Sequence, residues 1–297
     1  MVEYAGGLPI RASTRTRRES IMNARSATAA KAAASSLILL REDMDGVAVL
    51  TLNQPQTRNT LSEAMLEALG DALTAIAHDE NTRAVVLAAN GPAFSAGHDL
   101  KELHSHRADD DGGRAYFKHV TSMCTTMMQQ IVSLPQPVVA AVQATATAAG
   151  CQLVATCDLA VASSTAKFAT SGINVGLFCL TPMVALARNL GRKPAMEMLL
   201  TGDMISAEDA ARLGLVNRVV APGTEREEAF KLAKKIADKS TFAIKLGKEA
   251  FYRQMQMSLA DAYDYTAEVF VENLLARDAD EGMGAFIEKR QPKWENR

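Results

Sequence analysis

Four cysteines, a His-x-His pair and the His98-Asp99 step are the residues whose types and spacing suit covalent, metal or proton-transfer chemistry. Cys124, Cys151, Cys157 and Cys179 lie 27, 6 and 22 residues apart, with no Cys-x-x-Cys and no Cys/His spacing of a zinc site. They read as reduced thiols. Cys179 needs a base beside it to act as a nucleophile, and none is near in sequence, so a buried thiol is the expectation. His104 and His106 stand in a stretch that runs on to Asp109–Asp111 and Gly112-Gly113, which reads as a solvated loop rather than a metal site. His98, ahead of Asp99, has two readings: a turn cap, or a side chain acting on a ligand.

The 297 residues are 48% hydrophobic and 22% charged, which excludes disordered, collagen-like and disulfide-scaffold classes. A net charge of −2 gives no global attraction to nucleic acid or to an anionic membrane. The charge is uneven. Residues 1–36 hold six bases (Arg11, Arg15, Arg17, Arg18, Arg25, Lys31) against two acids (Glu3, Glu19), a surplus of four, so the remainder carries −6. This Ala/Ser/Thr-rich arm fits either a mitochondrial transit peptide or a disordered extension. The longest uncharged run, His119 to Cys157, contains Pro135, Pro137 and five glutamines, so it is no membrane span.

The elements that must position these residues are read from periodicity. Leu37–Leu40 and Val47–Leu52 flank the turn-like Asp43–Gly46 and predict a hairpin. Met65, Leu66, Leu69, Leu73 and Ile76 predict an amphipathic helix capped by Ser62. Arg83–Ala89 reads as a buried strand, followed by a polar loop over 104–114. The next helix has Phe117, Val120, Met123, Met127 and Ile131 on one face. Val138–Val142 is a strand, a Thr/Ala-rich turn follows, then a helix over Ala148–Thr156 and a strand over Leu159–Ser163. Strands alternating with helices imply an α/β class. Ser206 starts a helix that Gly214 stops, and Leu215–Val220 reads as a strand. Helices are predicted over Arg226–Lys239, Phe242–Met255 and Leu259–Leu275.

Three stretches resemble the crotonase (enoyl-CoA hydratase/isomerase) superfamily: Asn53-Gln-Pro-Gln-Thr-Arg-Asn59-Thr-Leu61, Gly91-Pro-Ala-Phe-Ser-Ala-Gly97-His98-Asp99-Leu100-Lys101-Glu102, and Pro137–Val142 running through Gly150-Cys151-Gln152-Leu153 to Cys157-Asp158. The tail Glu281–Arg290 is similar to the family's last segment, so the resemblance covers roughly 37–294. It implies a crotonase-like spiral of ββα units with a C-terminal helical trimerisation region. The domain would cover 37–297, with the spiral core about 37–220 and the helices about 221–297.

The resemblance also implies a chemistry. Family members turn a thioester carbonyl into an enolate, whose charge two backbone N–H groups receive; by position these are those of His98 and Ala149, the second at a helix N-terminus. The chain departs from the family in its glycines, with Ala144 and Ala148-Ala149 at usual glycine positions. It departs further in its acid–base groups. Hydration needs two carboxylates holding one water; here they fall on Gln152 and Gly172, and the aspartate used by isomerases falls on Leu180. Gln152 is able to orient a water but not to take its proton. Efficient hydration is therefore disfavoured, and Gln152→Glu with Gly172→Glu is expected to raise it, provided position 172 accepts a side chain.

Catalytic candidates are thus His98, Ala149 and Gln152. Candidates for CoA contact are Arg58, His98, Asp99, Leu100, Lys101, Ala149, Phe286 and Lys289. No metal and no cofactor beyond the CoA of the substrate are implied. The implied partners are an acyl-CoA and further copies of the chain, as a homotrimer or a dimer of trimers, with Phe286 and Lys289 reaching a neighbour's site; nucleic acid and membrane are not. The implied location is the mitochondrial matrix in a eukaryote and the cytoplasm in a bacterium. A non-catalytic acyl-CoA-binding protein and an acyl-CoA decarboxylase are the alternatives.

Overall fold

The computed structural model describes Met1 and residues 37–297; the basic arm of residues 1–36, Met1 apart, lies outside them. Strands β1 (Leu39–Met44) and β2 (Val47–Leu52) pair antiparallel. The two residues joining them, Asp45 and Gly46, both have positive φ (51° and 78°), the twist-matched choice for a two-residue hairpin. β1 runs past the expected Leu40 through Arg41, Glu42 and Asp43. An exposed edge strand accepts charged residues, so the apolar run marks only part of it. Ser62 caps α1 (Glu63–Ala77) by accepting the Met65 N–H at 3.3 Å.

Next come three rounds of the same move. Each places one strand in a large sheet and one in a small sheet, then adds helix. The first is β3 (Ala84–Ala89), β4 (Ala93–Ser95), α2 (Leu100–Ser105) and α3 (Arg114–Ser133). The second is β5 (Val138–Val142), β6 (Thr145–Thr147) and α4 (Ala149–Thr156). The third is β7 (Leu159–Ser163), β8 (Lys167–Ala169), α5 (Leu180–Asn189) and α6 (Arg192–Thr201). The remaining elements are β9 (Ile205–Ser206), α7 (Ala207–Leu213), β10 (Arg218–Val220) and helices α8 (Glu225–Ala237), α9 (Thr241–Gln254), α10 (Leu259–Leu275) and α11 (Arg277–Ile287). The large sheet has order β1-β2-β3-β5-β7-β10, parallel from β2 onward. The small sheet has order β4-β6-β8-β9.

The large sheet is covered on both faces, which is why its strands read as unbroken apolar runs. Alternate residues turn to opposite sides. Leu50, Val85, Leu87, Val138 and Ala140 join the core with α1, α3 and α4. Val49, Val86, Val139 and Val161 pack on Ala229, Ala233 and Ala237, a stripe of α8 small enough to lie close to the sheet.

Several boundaries differ from expectation. The helix read from Ala148 begins at Ala149. The loop over 104–114 is partly helical and tightly folded, with α2 running to Ser105, a 3₁₀ turn over His106–Ala108 and the His106 ring stacked on Tyr116 at 3.5 Å. The strand expected from Leu215 starts at Arg218. The strands of the small sheet had no counterpart in the sequence reading: three-residue strands are too short to show a period of two.

Candidate active site

The candidate site is built where β4, the turn after it, and the start of α4 meet. Asn59 organises the first side. It is fully buried at φ 51°, a left-handed conformation that asparagine tolerates. Its amide donates to the carbonyls of Asn90 (2.8 Å) and Ala93 (2.9 Å), and its Oδ1 accepts the Gln54 N–H (2.8 Å). The Ser95 hydroxyl donates to the Asn59 carbonyl at 2.8 Å, and the Ala96 N–H to that of Arg58 at 3.0 Å. The Leu61 N–H then donates to the Gly97 carbonyl at 2.8 Å. The Asn-x-Pro…Asn stretch is therefore a clamp on the Ala93–His98 segment, a role that its spacing alone did not disclose.

Two glycines let the segments approach. A Cβ on Gly97 (φ +85°) would lie 3.0 Å from the Ala149 nitrogen, and one on Gly150 would lie 2.2 Å from the Ser95 carbonyl oxygen. The Gly97-His98 turn is thereby set against the first turn of α4. Among the described residues, neither the His98 N–H nor the Ala149 N–H is donated to a carbonyl of the protein. Ala148 makes the bend with φ 50° and ψ −121°, the first central conformation of a type II′ turn, which glycine adopts at no steric cost. Its N–H holds the Ala169 carbonyl at 2.9 Å, and its carbonyl takes the Gln152 N–H.

Gln152 lies on the first turn of α4 and is 5% exposed, and its Oε1 is buried with no hydrogen-bond partner. Leaving such an atom unpaired costs about 1–3 kcal/mol, a deficit that a bound water or ligand would relieve. Gly172 is closed to a side chain. A Cβ there would lie 2.5 Å from the Leu177 carbonyl oxygen and 2.9 Å from Cys179 Sγ. The condition attached to Gly172→Glu is therefore not met: a glutamate at 172 requires the backbone to move. Cys179 occupies that space as a buried thiol, its pKa pushed up by burial against an opposing hydrogen bond from the Gly172 backbone. Burial also pushes the Cys124 and Cys151 thiols up to about 12.

Burial holds the His98 imidazole below its ordinary pKa, opposed by a hydrogen bond to the Leu61 carbonyl. Nδ1 lies 3.3 Å from that oxygen, which only accepts, so Nδ1 carries the proton and Nε2 presents a lone pair. Asp99 caps α2 by accepting the N–H groups of Lys101 (2.8 Å) and Glu102 (3.3 Å), and it takes the Thr60 hydroxyl at 3.2 Å. Leu100 and Lys101 are exposed on the same turn, and Arg58 is exposed at φ 57° on the clamp. Phe286 and Lys289 lie at the end of α11; Phe286 is 84% exposed. His106 pairs through Nδ1 with Asp109 at 2.8 Å.

Asp158 is the hub of a buried network the sequence did not reveal, because its side-chain partners come from α9. It accepts the Val138 N–H (2.7 Å), the Lys248 ammonium (2.7 Å) and the Tyr252 hydroxyl (2.8 Å). Lys248 also donates to the carbonyls of Ile131 and Gln136.

Three ββα rounds define a crotonase-type fold, and the comparisons agree: the chain belongs to the enoyl-CoA hydratase/isomerase family, whose profile matches residues 42–297. It is 47% identical over 250 residues to the mitochondrial enoyl-CoA hydratase domain-containing protein 3 of Rattus norvegicus, covering 84% of this chain and 82% of that one. A crystal structure of an enoyl-CoA hydratase from Mycobacterium smegmatis superposes with a TM-score of 0.83 at 53% identity, covering 87% of this chain and 99% of that one. The human enoyl-CoA hydratase domain-containing protein 3 structure gives 0.83 at 45% identity, covering 87% and 100%.

Proposed function

We propose that the protein binds an acyl-CoA and holds its thioester carbonyl between the N–H groups of His98 and Ala149. The observation that carries this is the meeting of the Gly97-His98 turn with the start of α4, two undonated N–H groups on adjoining segments, one at a positive helix end. Arg58, Asp99, Leu100 and Lys101 line the approach on the clamp side for the CoA moiety. Phe286 and Lys289 would serve a neighbouring copy in a homotrimer or dimer of trimers. No cofactor beyond the substrate's CoA, no metal and no nucleic acid or membrane partner enter the reading. Among the described residues no helix is long and apolar enough to cross a membrane. The rat relative's name says mitochondrial, which supports a mitochondrial location, the matrix, if the chain is eukaryotic; for a bacterial chain the reading is the cytoplasm.

Two-carboxylate hydration does not fit this site. Gln152 replaces one acid, and Gly172 has no room for the other. Each general acid–base group contributes about 10²–10⁴-fold, so crotonyl-CoA should bind yet be hydrated several orders of magnitude more slowly than by a two-glutamate site. Steady-state hydration assays test this; a kcat above about 10² s⁻¹ would refute it. The same substitutions favour a second reading, a non-catalytic acyl-CoA-binding protein of lipid metabolism. Chemistry that needs only enolate stabilisation, such as decarboxylation, remains with the first.

A further inference from the structure

We infer that the His98 side chain, not only its backbone, belongs to the reaction: Nε2 is the base that removes a proton from the carbon next to the thioester carbonyl. The inference rests on the acyl-CoA reading above. Three observations carry it. The Leu61 carbonyl fixes the proton on Nδ1, so the lone pair is on Nε2, which has no hydrogen-bond partner among the described residues. The imidazole stands on the residue whose own N–H is one of the two carbonyl donors, so base and carbonyl site share one turn. The neighbouring carboxylates are committed elsewhere: Asp99 caps α2 and holds Thr60, and Glu102 accepts the Glu63 N–H at 3.2 Å. With Gln152 and Gly172 at the usual carboxylate positions and the Cys151 thiol on α4 kept protonated by burial, His98 is the base left uncommitted on the segments that form the site. Being half-buried, it is held neutral and ready to accept.

The step balances without a further reactant. The Cα–H electron pair moves into a Cα–C bond of the enolate, the proton passes to Nε2, and the oxygen charge is met by the two N–H groups. Return of a solvent-exchanged proton from Nε2 to Cα completes a cycle with no net chemistry. That cycle is measurable.

The protein is incubated with butyryl-CoA in D₂O, and the mass of the recovered thioester reports deuterium at Cα. Wild type is expected to exchange well above the protein-free control. His98→Asn keeps a donor for the Leu61 carbonyl and removes the ring base, so exchange should fall about 10²–10⁴-fold while butyryl-CoA still binds by calorimetry. In His98→Ala, added imidazole should restore part of the exchange, which a merely structural role would not allow. His104→Gln should exchange as wild type does. Equal exchange by His98→Asn and wild type, or no exchange by a wild type that binds butyryl-CoA, overturns the inference and leaves the binding reading standing. Failure of wild type to bind butyryl-CoA overturns the reading itself, and the inference with it.

Discussion

Ala148 carries a cost that a glycine would not, because its methyl group is held at φ 50° and ψ −121° while its N–H and carbonyl are tied to Ala169 and Gln152. A side chain in such a region costs about 1–3 kcal/mol. Ala148→Gly relieves that strain and loses about 0.4–1 kcal/mol through the freer unfolded chain, so the net expectation is a gain of about 1 kcal/mol. Thermal unfolding should register it as a rise of about 2–4 °C; a fall in Tm would mean that the methyl packs usefully. Ala144, Ala148 and Ala149 were visible in the sequence as a departure from glycine, but the backbone angle that makes Ala148 costly was not. Gln152 was legible as a lost acid, whereas its unpaired Oε1 depends on what surrounds it. Asn59 was legible only as part of a pattern, since its three hydrogen bonds run to residues up to 34 positions away.

At the scale of elements, the joint between α9 and the large sheet rests on Asp158, Lys248 and Tyr252. The pair is well shielded, with side-chain exposures of 14% for Asp158 and 7% for Lys248, and burial lowers the Lys248 pKa against the attraction of Asp158. Removing one partner leaves the other charge buried and unpaired. Asp158→Ala should therefore cost about 3–5 kcal/mol, read as a lower urea midpoint at unchanged slope. A loss below about 1 kcal/mol would show that water reaches Lys248 freely. The long elements were legible because α1 and α3 repeat their apolar residues at three and four positions, and Ser206 and Gly214 cap α7 as their types require. The small sheet was not. β4 and β6 lead into the segments that carry His98 and Ala149, yet each is three residues long, and only pairing with a distant strand makes them extended.

At the scale of the whole molecule, two surfaces among the described residues stand out for their open apolar side chains. None of the seventeen residues of α10 is buried, and Phe270, Leu275 and Ile287 are exposed on α10 and α11. Val175, Leu177, Leu180 and Val184 are exposed before and along α5, with Met196 and Leu200 on α6. Two different apolar surfaces on one chain suit a head-to-tail contact, which gives a ring where the rotation between copies closes. Light scattering at micromolar concentration is expected to give the mass of a trimer or of a dimer of trimers, and a monomer would contradict this. The family signature was legible in the sequence because its motifs fall in order along the chain; which surfaces meet was not, because that depends on the folded exterior. The claim that the folded chain brings two distant backbone donors onto one carbonyl is open to a direct measurement, the infrared stretch of butyryl-CoA labelled with carbon-13 at the thioester carbonyl. Bound to the protein, the labelled carbonyl should absorb at lower frequency than in water, and the shift should persist in His98→Asn because the donor is the backbone. A bound thioester that absorbs at its solution frequency would contradict the account.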